Sequence, residues 1–171
     1  MTQRLLAAFS LIALAACAVA QVPDNLRPAP AEVALHSVLA RGVQIYECRA
    51  KKDDPQAAEW AFVAPEAALF DAQGTQVGKH YAGPRWESLD GSRVVGSTKA
   101  RADATTPGAI PWLLLTAQSE GPDGAFAKVT SVQRINTVGG VAPAAGECTS
   151  ASLGKQARSA YTADYVMYGS K

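Results

Sequence analysis

The stretch QVGKHYAGPRWESLDGSRVVGSTKA, Gln76–Ala100, decides the fold. Gln76–Tyr81 and Arg85–Leu89 are short strand-like runs on either side of Gly83-Pro84. Ser92–Ala100 is a third run behind Asp90-Gly91, the dipeptide that best tolerates the positive φ angles of a tight hairpin. Three strands and two turns in so short a stretch leave no room for a helix, and they predict an antiparallel meander.

The same rhythm continues on both sides. Trp60–Val63 is aromatic and β-branched, and Asp71–Gly74 is a turn. Trp112–Ala117 is a continuous apolar run, the pattern of a central strand buried on both faces. Gly121–Gly124 is a turn, Phe126–Thr137 resumes the strand pattern, and Val138–Thr149 reads as a Gly- and Pro-containing loop. Tyr161–Tyr168 is the last strand. Near the start, Ala34–Ala40 and Val43–Cys48 flank Arg41-Gly42 and are expected to form a hairpin, with a short helix over Ala31–Ala40 as the alternative. Since no long amphipathic helix is present, the expectation is a single all-β domain, an antiparallel β-sandwich or barrel, with short loops and few or no helices.

Composition narrows the function. The 171 residues are 48% hydrophobic and 18% charged, which suits one folded domain with a short targeting segment. Met1–Arg4 carries one positive charge and Leu5–Ala16 is apolar, too short to span a bilayer and suited to a signal-peptide core. Ala18-Val19-Ala20 before Gln21 fits ordinary cleavage, giving a signal peptide over 1–20. Leu14-Ala15-Ala16-Cys17 resembles a lipobox, which would end the signal at 16 and place a membrane-anchoring lipid on Cys17. Either way the protein is expected to be exported, as a periplasmic, outer-membrane lipoprotein or extracellular species. Gln21–Pro30 holds three prolines and is expected to be an extended tether to a β domain over 31–171.

Without Arg4, the sixteen Lys and Arg become fifteen, equal to the fifteen Asp and Glu, and this neutral balance argues against a nucleic-acid partner. Two histidines and three cysteines are too few for a zinc finger or a multi-histidine metal cage, so no metal and no cofactor is expected. Cys48 and Cys148 remain after export, and they either pair in a disulfide or stand as two buried thiols.

Five ordered motifs carry a family resemblance: GVQIYEC (Gly42–Cys48), HYAGPRWE (His80–Glu87) followed by DGS (Asp90–Ser92), IPWLLL (Ile110–Leu115), VTSVQRINTVGG (Val129–Gly140) and YTADYVMY (Tyr161–Tyr168). Together they resemble domain-of-unknown-function family 3455, exported proteins chiefly of bacteria and fungi. The resemblance covers about residues 30 to 168 and implies cysteines at the positions of Cys48 and Cys148. It implies no activity.

Candidate site residues concentrate where the fold was read. His80, Tyr81, Arg85, Trp86 and Glu87, with Asp90 close by, form the densest polar and aromatic cluster. An imidazole beside carboxylates can do acid–base work, which makes His80, Glu87 and Asp90 weak catalytic candidates for an extracytoplasmic hydrolase, lyase or isomerase. Gly83-Pro84 is expected to fold His80 back towards Glu87, and Trp86, between two charged neighbours, is expected to be the exposed tryptophan. Arg134 and Asn136, with Thr137, end a strand before Gly139-Gly140 and can line a binding mouth or satisfy backbone groups. Asp164 needs a partner, for which Arg134 is the expected one. His36 is expected to be structural. No nucleophile elbow, metalloprotease motif or phosphate loop is present. The leading expectation is therefore a binding or structural module of the cell envelope, its ligand a small molecule or a glycan.

Overall fold

The computed structural model of the chain describes residues 21–171; the expected signal segment, with Cys17, lies outside the described residues. Eight antiparallel strands close into a barrel in simple sequence order, each hydrogen-bonded to the next and the last to the first. They are β1 (Glu32–Ala50), β2 (Ala58–Phe70), β3 (Gln76–Tyr81), β4 (Arg85–Ser88), β5 (Arg93–Ala102), β6 (Trp112–Ser119), β7 (Ser131–Gly139) and β8 (Gln156–Ser170). No helix among the described residues exceeds a single 3-10 turn, and none is long and apolar enough to cross a membrane. The all-β expectation holds, and of its two forms the chain takes the barrel. Closure leaves no sheet edge along most of the wall.

Strand alternation divides every element into an inner and an outer face. On β8 the buried residues are Tyr161, Ala163, Tyr165 and Met167, with Thr162, Asp164 and Val166 between them on the outside. The apolar run of β6 is buried on both faces for two separate reasons. Leu115 joins the interior cluster, while Trp112 and Leu114 pack outside against Leu26.

That second cluster changes the reading of Gln21–Pro30. Asp24–Leu26 form a 3-10 turn, and Leu26 is fully buried on the outer wall. Gln133 Nε2 donates to the Leu26 carbonyl at 2.6 Å, and Asn25 Nδ2 to the Arg101 carbonyl at 3.0 Å. The stretch expected to be an extended tether is therefore docked on β5, β6 and β7 along part of its length.

The N-terminal hairpin expected at Arg41-Gly42 is absent, as is the helix over Ala31–Ala40; one 19-residue strand runs straight through. Gly42 serves close approach here and makes no turn. A Cβ at this position would run into Glu66 O and Ala67 Cα of β2. The turns at Asp71–Gly74 and Asp90-Gly91 form as read, with Gly74 and Gly91 at positive φ.

The two ends of the barrel differ. At one end the β6–β7 loop folds inward and buries Phe126 and Val129 on Val38, Leu69, Val94 and Met167. At the other end the β3–β4 hairpin is short. Its neighbours β2 and β5 continue past it: β3 pairs with β2 only from Ala67 onward, and β4 pairs with β5 only up to Val95. The wall is low at Gly83-Pro84, and a cavity opens there. Cys48 and Cys148 form a disulfide beside this mouth, tying the end of β1 to the β7–β8 loop.

Candidate functional site

The cavity is about 580 Å³ and reaches from the β3–β4 turn into the upper barrel. That size falls within the range of small-molecule sites. Phe62 and Val63 of β2 and Arg101 of β5 stand at its lip, with Pro84 below them. Its floor carries Gln44, His80, Trp86, Arg134 and Tyr165.

His80 and Trp86 reach the floor by register. They are cross-strand partners on β3 and β4, so both point inward. Their rings stack with centroids 4.3 Å apart, and Tyr165 meets both edge-on, 5.1 Å from His80 and 5.4 Å from Trp86. Gly96 of β5 lets the indole lie against the wall, since a Cβ there would meet the Trp86 ring at 2.7 Å. Trp86 is 1% exposed, which overturns its expected exposure. Its charged neighbours Arg85 and Glu87 mark the outer face of the same strand, and alternation hides the residue between them.

The His80 imidazole is fully enclosed. Nδ1 lies 2.8 Å from the Arg85 carbonyl, which can only accept, so Nδ1 carries the proton and Nε2 is left as an acceptor. Burial pushes its pKa down to about 3 against the pull of that hydrogen bond, and the Arg134 charge lowers it further. The ring is neutral at pH 7.

Arg134 is the positive centre of the cavity. Its Nε and Nη2 donate to the Pro111 carbonyl at 3.1 and 2.9 Å, which fixes the guanidinium and anchors the chain entering β6. Its charge acts on Tyr46, His80, Tyr161 and Tyr165, and no carboxylate acts on any of these four. Burial raises the pKa of Tyr161 and Tyr165, so both hydroxyls stay protonated.

Several polar side chains here are poorly satisfied. Trp86 Nε1 is buried without a hydrogen-bond partner, and Gln44 Nε2, Tyr161 Oη and Tyr165 Oη are buried with no well-formed hydrogen bond, although Tyr161 faces Gln44 and Tyr165, and Tyr165 faces Arg134. Among the described residues the only other such side-chain atom is Trp112 Nε1, under Leu26. A buried unbonded polar group costs about 1–3 kcal/mol, so the Trp86 N–H beside three poorly satisfied groups is an expensive arrangement for a structural core.

The chain matches the family model described as "Protein of unknown function (DUF3455)" over residues 28–169. The chain belongs to this family. No curated protein and no solved structure matches it.

The other candidates on this DUF3455 chain lie elsewhere. Tyr81, Arg85 and Glu87 line the outside of the wall. Tyr81 Oη donates to Glu87 at 2.6 Å, Lys79 pairs with Glu87 at 3.0 Å, and Arg85 holds Glu120 with two bonds of 2.6 and 3.1 Å. The Gly83-Pro84 turn thus brings His80 to Trp86, and Glu87 faces away from the imidazole. Asp90 sits in the β4–β5 turn at the closed end. It accepts from Ser92 N, Ser92 Oγ and Ala125 N, which hold its pKa down at about 2. Asn136, at φ 51°, occupies a bulge of β7 and turns outward to donate to Asp164 at 2.8 Å. Asp164 therefore pairs with Asn136, because Arg134 lies on the inner face. Thr137 is buried and donates to the Ile110 carbonyl, so it serves the backbone.

His36 bonds the Ala125 carbonyl at 2.7 Å and packs edge-on to Phe126, a structural role as read. No group of three His, Cys, Asp or Glu capable of holding a metal occurs among the described residues. Sequence reasoning missed Gln44, Tyr165 and Arg101. Gln44 sits in VQIYEC, where Val43 and Ile45 look like the core face, yet Gln44, Tyr46 and Cys48 are the buried set. The alternation is visible in the sequence, but hydrophobicity alone points to the wrong face of this strand.

Proposed function

We propose that this protein is an exported barrel of the cell envelope that binds a small molecule in the mouth of its interior. The observation that carries this reading is the cavity of about 580 Å³ itself, an apolar mouth on which the side chains of Gln44, His80, Trp86, Arg134 and Tyr165 converge. A bound molecule that covers the apolar lining and pairs with Arg134 gains binding energy, and a small side-chain shift lets it complete the poorly satisfied Trp86, Gln44 and Tyr165 groups as well. The Cys48–Cys148 disulfide is consistent with an extracytoplasmic location.

Enclosure supports a small molecule over a glycan laid on an aromatic platform. Trp86 and Trp112 are fully buried, and Trp60 is partly covered and donates to the Ala144 carbonyl. The acid–base alternative draws less support, since Glu87 lies on the outer face and Asp90 at the opposite end. Native mass spectrometry of the exported protein, purified without denaturation, tests the proposal together with a small-molecule thermal-shift screen. Retained extra mass, or compounds that raise Tm in the wild type and fail to do so in Gln44→Leu, is the expected result. A bare polypeptide that no compound stabilises contradicts it.

A further inference from the structure

Beyond the presence of a ligand, and resting on that reading, the cavity's hydrogen-bonding inventory points to its chemical class. We infer that the ligand is an organic anion: a carboxylate head held at Arg134 on an apolar body that fills the mouth between β2 and β5.

Hydrogen-bonding groups and charges of the lining set the ligand's class. The Trp86 indole N–H at the floor has no hydrogen-bond partner, and the Gln44 amide and Tyr165 hydroxyl beside it have no well-formed one; all three lie just beneath the cavity surface. Arg134 adds the N–H groups that Pro111 O leaves over, since Nε and Nη2 make the bonds to that carbonyl. Acceptors are present as well, at His80 Nε2, the Gln44 amide oxygen and the Tyr165 hydroxyl, and none of them is charged. Arg134 is the charged group at the floor, so a ligand that brings an anionic acceptor to it is favoured over one that brings a donor.

Charge points the same way. The lining contains Arg101 and Arg134 and no Asp or Glu, and neither arginine has a salt-bridge partner among the described residues. A half-buried guanidinium with its field uncompensated is a ready counter-ion for a carboxylate. His80 reinforces this by remaining neutral, so that it adds no second positive charge at the floor. The rest of the lining is apolar: Phe62, Val63, Pro65, Pro84, Leu113 and Leu115. A purely polar anion such as inorganic phosphate would leave this surface uncovered. An apolar body carrying one acidic group covers it.

Calorimetric titration with a matched pair tests the inference, using naphthoate and its uncharged counterpart naphthylmethanol. In the wild type, naphthoate binds about tenfold more tightly or better, the expected gain from a charge-assisted pair away from bulk water. Arg134→Gln brings the ratio close to one while naphthylmethanol affinity stays, and Arg134→Lys restores part of the preference. Arg101→Gln, at an exposed position, lowers the preference by a smaller factor and keeps the test alive if Arg134→Gln fails to fold. Equal binding of the two compounds overturns the anion inference and leaves the small-molecule reading standing. No binding of either at millimolar concentration overturns both.

Discussion

The two ends of the barrel solve opposite problems with the same eight strands. At the closed end, Phe126 and Val129 fill the interior, and the polar groups of the turn are matched: Asp90 and Ser92 accept the backbone N–H groups of Ala125 and Phe126. At the open end a cavity of about 580 Å³ remains, with Arg134 and the poorly satisfied groups of Gln44, Trp86 and Tyr165 at its floor. The closed end is held by packing, whereas the open end adds to its packing a covalent tie between residues separated by 100 positions. The difference shows where this fold places its stability and where it leaves room for a ligand. An end that keeps a cavity gains less from burial than a filled one, and the disulfide adds a covalent tie there.

The sharpest way to break this comparison is to cut the tie. The paired change Cys48→Ser with Cys148→Ser is expected to lower unfolding free energy by roughly 4–5 kcal/mol, since the loop it closes spans 100 positions. Amide exchange should rise first at Tyr46–Cys48 and across the β7–β8 loop, with Phe126 and its neighbours protected longest. Uniform loosening would show that the open end has no special dependence on the bridge.

Phe126→Ala attacks the other end. Loss of a buried aromatic costs about 3–4 kcal/mol, and binding at the mouth should persist, as read by the same titrations in the folded variant. A loss of binding equal to the loss of stability would join the two ends into one unit.

The next effect is one of pH. His80 has a pKa of about 3 in the folded protein and its ordinary 6.5 when unfolded, so the unfolded chain takes up the proton first as pH falls. Its contribution is complete above about pH 6.5 and is lost progressively down to about 3. Between pH 7 and pH 5 this amounts to about 2 kcal/mol. Urea unfolding at the two pH values should give that difference in the wild type and a smaller one in His80→Gln.

Gln44→Leu should have the smallest effect and the opposite sign. Replacing a poorly satisfied amide with an apolar side chain of similar size should raise unfolding free energy by about 1 kcal/mol while weakening ligand binding. Destabilisation instead would mean that the amide is satisfied inside the empty protein.

The meander over Gln76–Ala100 was legible because its turns are chemical: Asp90-Gly91 and Gly83-Pro84 leave the chain few other paths. Arg41-Gly42 misled because glycine has two uses, and only the neighbouring strand decides between positive φ and close approach. The position of Gln21–Pro30 was hidden for a similar reason, since three prolines describe the local backbone and say nothing of the apolar surface that receives Leu26. At the site, parity was the missing quantity. His80 and Trp86 read as part of one surface patch with Tyr81, Arg85 and Glu87, whereas alternation sends the first pair inside and the other three outside. Arg134 was found from its place before Gly139-Gly140, but its partner was misjudged because Asp164 lies on the opposite face of its strand. Gln44 and Tyr165 come from strands distant in sequence from His80, and only barrel closure brings them to it.

The central claim is that the open end is a ligand cavity with Trp86 at its floor. The most direct test follows the three indole N–H resonances by nitrogen-edited magnetic resonance while naphthoate, and separately naphthylmethanol, is added. The account predicts that the Trp86 resonance shifts and saturates, while those of Trp112, sealed under Leu26, and Trp60, bonded to the Ala144 carbonyl, stay in place. A Trp86 resonance unmoved at millimolar concentrations of both compounds, or movement confined to the other two indoles, would contradict it.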